Sequence, residues 1–394
     1  MLIGRNWLEH LVRWQLLLLA LLLSGCATQP GVLNYGIPPA YQVNRPMWPS
    51  PQDGEVPRYQ YAGQLTGEEN FHEPKQYSSR TEAAFNWILG LFEFETRPVI
   101  LQRPQSGMVD GTGRIFVTDT SRQAVYVFDQ KAGRLLVWEG GEGYHFVAPS
   151  GIVALENGDV YVADAQLHEI FHLNPKGELL GVFGKEQLQR PLGLAFDAVS
   201  RHLYVADTYG HDIKVFDLTG RLLRTIGQRG DQPGEFNFPT YIALAKGKLY
   251  VADTMNARVQ VLDAETGQSQ LIIGQQGLRV GDLMRPKGVA LDSEGNVYVV
   301  ESYGDYLLVY NSKGEFLMPI GGTGKSIGKF FLPSGLWIDS KDRVFVADMF
   351  NGRVSLFQFL GGGSEGESPT PDRQPSPAVP LSRGVNPTAT EKSL

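Results

Sequence analysis

Between about residues 58 and 360, the apolar residues of this chain fall in short runs closed by turn-prone residues. One run recurs and always ends in an acid: Ile115–Asp119, Val160–Asp164, Leu203–Asp207, Leu249–Asp253, Val297–Glu301 and Val344–Asp348. The acids are separated by 45, 43, 46, 48 and 47 residues. A proline opens each unit, at Pro104, Pro149, Pro191, Pro239, Pro286 and Pro333, usually with Gly two residues later. The third unit reads as a four-stranded meander, with strands at Leu192–Phe196, His202–Ala206, Asp212–Phe216 and Leu222–Ile226. A period of 40 to 50 residues with several short strands per unit marks a propeller blade, whose sheet buries both faces by stacking on its neighbours. The pattern therefore predicts an all-β fold: a six-bladed β-propeller of four-stranded antiparallel blades.

The sixth unit runs out after Val354–Phe359 and lacks a fourth strand, which would leave an open edge. Tyr59–Gly63 is the segment expected to fill it, because Gly67 and Phe71 follow as Gly230 to Phe236 follow the fourth strand of unit three. From Gly63 to Pro104 the chain takes 41 residues, against 12 at the matching interval of units three to five, so about 29 residues are inserted at 72–103. Ser79 and Glu82 form a capping box there, and Phe85, Ile88, Leu89 and Phe92 fall at helical spacing. One short helix is expected, packed on the propeller or serving as a docking element.

Outside the repeats the pattern changes. Arg5 and Arg13 precede an apolar run from Trp14 to Leu23, about half the length a membrane-spanning helix needs. Leu23-Ser24-Gly25-Cys26 resembles the bacterial lipobox, which implies a signal peptide at 1–25 and lipidation of Cys26, the only cysteine of the chain. Ala27 follows rather than Asp, which points to the outer membrane before the inner one. Seven prolines between Pro30 and Pro57 predict a tether over 26–57, and the Pro- and Ser-rich stretch 361–394 predicts a disordered tail. The propeller is placed at 58–360.

The repeats resemble the NHL-repeat family, in which proline, glycine, a Tyr-Val-Ala-Asp strand and a polar turn recur in that order. The resemblance spans about 300 residues and implies a closed propeller; it leaves function open, since that architecture serves binding modules and enzymes alike. Propellers similar to this one include an amidating lyase with a zinc ion held by histidines. The weak counterparts here are His168 and His211, four residues after the acid in adjacent blades, with Asp305 at that position in blade five. His145, His172 and His202 are scattered, and no cofactor is expected.

Composition narrows the rest. A formal charge of −7 with interspersed signs lacks the basic stripe nucleic-acid binding requires. A single cysteine excludes an intramolecular disulfide and a cysteine-rich zinc site. The six acids read as structural acceptors for amides of the following turn. Two residues beyond each stand Ser121, Gln166, Tyr209, Met255, Tyr303 and Phe350, four of them large and apolar or aromatic, as an arc suited to partner contact. The expected function is a lipid-anchored scaffold at the cell envelope, binding an unknown protein or small ligand. The alternative is a metal-dependent lyase or lactonase with its metal in the central channel.

Overall fold

The computed structural model describes residues 31–71, 98–141 and 143–361. Six antiparallel sheets form from the six repeats, each strand pairing with the next in the chain. Blade three consists of Pro191–Asp197, His202–Asp207, Asp212–Asp217 and Leu222–Ile226, within one residue of the expected limits. The first strands of the blades touch one another in order, and Pro333–Ile338 of blade six touches Pro104–Val109 of blade one, so the ring is closed around a channel.

The second strands explain why the blades stack. Every residue of Ile115–Asp119, Val160–Asp164 and Val297–Glu301 is buried, because each sheet is covered on both faces. The described core divides into six clusters, each shared by neighbouring blades: Phe116, Val127, Val160 and Phe171 join blades one and two, and Leu65, Ile115, Phe345 and Leu356 join six and one. No blade has a core of its own, so burial, the dominant favourable contribution to folding, requires the complete ring.

Blade six is completed by a strand from the other end of the chain. Tyr59–Leu65 runs antiparallel to Arg353–Phe359, with Tyr59 opposite Phe359 and Leu65 opposite Val354. Tyr61 is wholly buried, and the Tyr59 hydroxyl bonds that of Tyr298 in blade five at 2.9 Å. Gly63, in left-handed backbone at φ +132°, sits where a Cβ would collide with Tyr35.

The unpacked tether expected over 26–57 is corrected for its described part. Met47–Trp48 pairs with Tyr59–Gln60 as a fifth strand on blade six. Trp48 meets Phe357 edge-on at 5.3 Å, and the Tyr35 hydroxyl accepts a hydrogen bond from Arg343. Two large aromatic side chains supply enough contact to hold a proline-rich segment against the sheet. Of the insertion, Ile100 bridges to Gly67 and Leu101 joins the core between blades six and one. The helix expected around Phe85, the segment ending in Cys26 and the tail after Gly361 lie outside the described residues.

Candidate functional site

All six second strands end on one face of the ring, since each acid lies opposite the proline that opens its blade's innermost strand. The acids are buried beneath that face. Asp119 accepts from the amides of Gln102 and Arg103 ahead of its blade and of Ser121 and Arg122 in the following turn. Asp164 does the same with Val147, Ala148, Gln166 and Leu167. Asp207 takes Gln189 and Arg190, and Glu301 takes Met284, Arg285 and Tyr303. In blades four and six an arginine replaces part of the amide set: Arg258 Nε lies 2.8 Å from Asp253, and Arg353 Nε 2.8 Å from Asp348. Each acid thus holds the entry of its blade, and Asp119, Asp164 and Glu301 also hold the turn that follows. The amides that precede the blade were not anticipated from sequence.

Four residues after the acid, the backbone is left-handed in every blade: Gln123, His168, His211, Ala257, Asp305 and Gly352 all have φ between 51° and 61°. His and Asp are among the residues that tolerate this conformation best. His211 Nδ1 accepts from the Phe238 amide and Asp305 Oδ1 from the Leu332 amide, the same bond to the next blade's entry. His168 and His211 thus serve turns of separate blades. His172 pairs with Asp159 at 3.0 Å and stacks on Tyr161. Among the described residues no group of three or more His, Cys, Asp or Glu is arranged to hold a metal ion.

Above the acids, the turn tips reach solvent. Tyr209 is 50% exposed, Met255 51%, Tyr303 61% and Phe350 45%, whereas aromatic side chains elsewhere in the blades are largely buried. They are framed by cations that precede the blade-opening prolines. Arg190 lies over the Tyr209 ring at 5.1 Å and Arg103 over the Phe350 ring at 5.2 Å. Arg285 occupies the same position in blade five and is exposed. None of the three has an ion-pair partner among the described residues. Beside Tyr303 a surface pocket of about 170 Å³ is lined by Leu278, Val280, Met284, Tyr306 and Leu308.

The innermost strands carry two residues that sequence reading missed. The Tyr241 hydroxyl, on blade four, donates to the Gln105 carbonyl of blade one at 3.2 Å, so a single side chain spans the ring between opposite blades. Burial pushes this phenol up to about 12. Its neighbours stay close because glycines stand at the equivalent positions: a Cβ on Gly193 would lie 2.7 Å from Tyr241 Cα. Lys287 stands one residue after the proline of blade five, where the other blades carry Gln105, Ser150, Leu192, Thr240 and Ser334. Its side chain is partly buried and has no ion pair or hydrogen bond among the described residues; burial, then the nearby charge of Arg285, lowers its pKa. Both residues were legible as exceptions: an aromatic where four repeats hold Gly, and a cation where five hold neutral residues.

A closed ring of six antiparallel blades, one built on each repeat, defines the chain as a six-bladed β-propeller. Comparison with known proteins agrees. Residues 196–271 match the DUF5128 family model, a 6-bladed beta-propeller. NHL repeat-containing protein 2 of Bos taurus is 34% identical over 155 residues, 35% of this chain and 21% of that protein. A Caenorhabditis elegans protein described as a probable peptidyl-alpha-hydroxyglycine alpha-amidating lyase is 29% identical over 188 residues, 43% of this chain and 50% of that one. This chain thus spans about a fifth of the length of its NHL-repeat relatives. Among solved structures, an auxiliary nutrient binding protein from Bacteroides thetaiotaomicron shares the fold with a TM-score of 0.53 at 11% identity, over 66% of this chain and 70% of that one.

Proposed function

We propose that this protein is a lipid-anchored component of a bacterial cell envelope whose propeller binds a protein partner through the face bearing Tyr209, Met255, Tyr303 and Phe350. The observation that carries the reading is the exposure of three aromatic side chains and Met255 at the same turn position of four consecutive blades. Exposed aromatics backed by arginines are the usual anchors of a protein interface. The lipobox-like Leu23 to Cys26 supports anchoring, and the turn face would then be presented to partners at a membrane surface.

The test is chemical crosslinking and recovery from native membranes, comparing the intact protein with a Tyr209→Ser, Tyr303→Ser, Phe350→Ser variant that retains its thermal transition. A saturable partner lost in the variant is the expected result, and equal recovery from both would refute this face. For the anchor, Cys26→Ser should move the protein from the membrane to the soluble fraction.

The lyase alternative draws support from the likeness to the Caenorhabditis elegans protein. In the channel where its metal would lie, Tyr241 reaches from blade four to blade one. Stoichiometric zinc or calcium in the purified protein, lost on substituting His168 and His211, would favour it.

A further inference from the structure

The chain is acidic overall, with a formal charge of −7, yet the centre of its turn face is not. The six segments that bring the chain to the channel mouth, residues 102–105, 147–150, 189–192, 237–240, 284–287 and 331–334, contain no Asp or Glu. They contain Arg103, Arg190, Arg285 and Lys287. In the surrounding turn tips, residues 120–123, 165–168, 208–211, 254–257, 302–305 and 349–352, Arg122 adds a cation and Asp305 is the single acid. Asp305 is 4% exposed and spends its oxygens on the Leu332 amide and the Thr323 hydroxyl. The strand-end acids are likewise sealed beneath the face by their amide donors. Farther out, Glu235 and Asp282 are engaged within their own loops, by Gln228 and the Gln232 amide and by Gln275 and the Arg279 amide.

Lys287 is the sharpest element of this arrangement. Taking a cation out of water without a counter-charge is unfavourable, and such a group is normally paired. Only the Lys287 carbonyl is engaged, accepting from Thr240 Oγ1 at 3.1 Å. Its Nζ makes no hydrogen bond among the described residues and is not wholly sealed from solvent. Tyr241 crosses the channel from the strand next to the one that carries Lys287.

Resting on the proposal that this face binds a protein, we infer that its occupant is an acidic peptide segment of the partner, one carboxylate of which pairs with Lys287 while flanking carboxylates meet Arg103, Arg190 and Arg285. The pocket beside Tyr303, with its Leu278, Val280 and Met284 lining, takes an apolar side chain of the same segment. Charge complementarity selects the sign of the partner, and the exposed rings beside the cations suit a peptide with mixed apolar and acidic residues.

The experiment uses the full chain in detergent and fluorescence anisotropy with a short labelled peptide of Glu, Gly and Leu. A peptide with Lys in place of Glu and a single-stranded RNA serve as comparisons. The acidic peptide should bind saturably, more weakly as salt rises, and Lys287→Met should lower affinity by about tenfold or more, since losing one member of a partly desolvated charge pair is costly. Met keeps the volume of the side chain, and an unchanged thermal transition establishes that the variant folds. Unchanged affinity in Lys287→Met, equal binding of the Lys peptide, or tighter binding of RNA would each overturn the inference. Crosslinking with the Tyr209, Tyr303 and Phe350 variant separates the two proposals: a partner lost there while the acidic peptide fails to bind leaves the face assigned and removes only its acidic occupant.

Discussion

A carboxylate buried under backbone amides exchanges water for N–H donors, and those donors have no alternative acceptor once it is gone. Asp164, fully buried, receives four such amides. Asp164→Ala should therefore destabilise the protein by about 3 kcal/mol or more, read from urea unfolding, while Asp164→Asn, which keeps one acceptor, should cost less. Asp110 works on the same principle at a hairpin turn. Burial acts to raise its carboxyl, but hydrogen bonds from Thr112 and Arg114 outweigh it and hold the pKa below the ordinary value. Because the folded value is the lower one, this stabilisation is complete above the ordinary carboxylate range and is lost as pH falls through the depressed value. Asp110→Asn should accordingly flatten the acid side of a stability-versus-pH profile. Close approach of strands sets a different limit: Gly193→Ala should cost about 1–3 kcal/mol through its clash with Tyr241. At this scale the repeated acids and turn tips could be located from their period. Lys287 and Tyr241 show only as departures from their repeats, and their surroundings do not show at all, because their neighbours come from other blades.

Among the elements, blade six differs from the rest because the two ends of the folded region meet in it. Its fourth strand was legible in the sequence, since Gly67 and Phe71 repeat the signature that follows other fourth strands. The fifth strand was not: Met47–Trp48 is two residues long, too short to carry a period, and proline-rich surroundings argue for an extended chain. What places it is the ring of Trp48 against Phe357, a contact between residues far apart in sequence. If closure through Tyr59–Leu65 holds the ring together, Tyr61→Ala should lower stability by about 3–5 kcal/mol, the range for losing a buried aromatic ring. Leu222→Ala, on the outer strand of blade three and 36% exposed, should change it by only about 0.5 kcal/mol. Equal denaturant midpoints for the two variants would contradict the closure role.

Taken as one body, the propeller has its channel bridged by Tyr241 and its second-turn tips on one face. Tyr241→Phe should cost about 1 kcal/mol, as expected for one lost hydrogen bond, whereas Tyr241→Ala should cost several times more by leaving the ring centre empty. Six-fold architecture was legible in the spacing of the acids. The electropositive centre was obscured by a net negative composition, because charge averaged along a chain does not report which loops converge. The seam in blade six also governs how the molecule responds to force. Tension applied upstream of Met47 would first peel the two-residue strand and then reach Tyr59, which is paired with Phe359 at the other end of the folded region. When the opposing pull acts beyond Phe359, both forces enter at the same end of this antiparallel pair and open its bonds one after another, so the junction that closes the ring is also where it first yields.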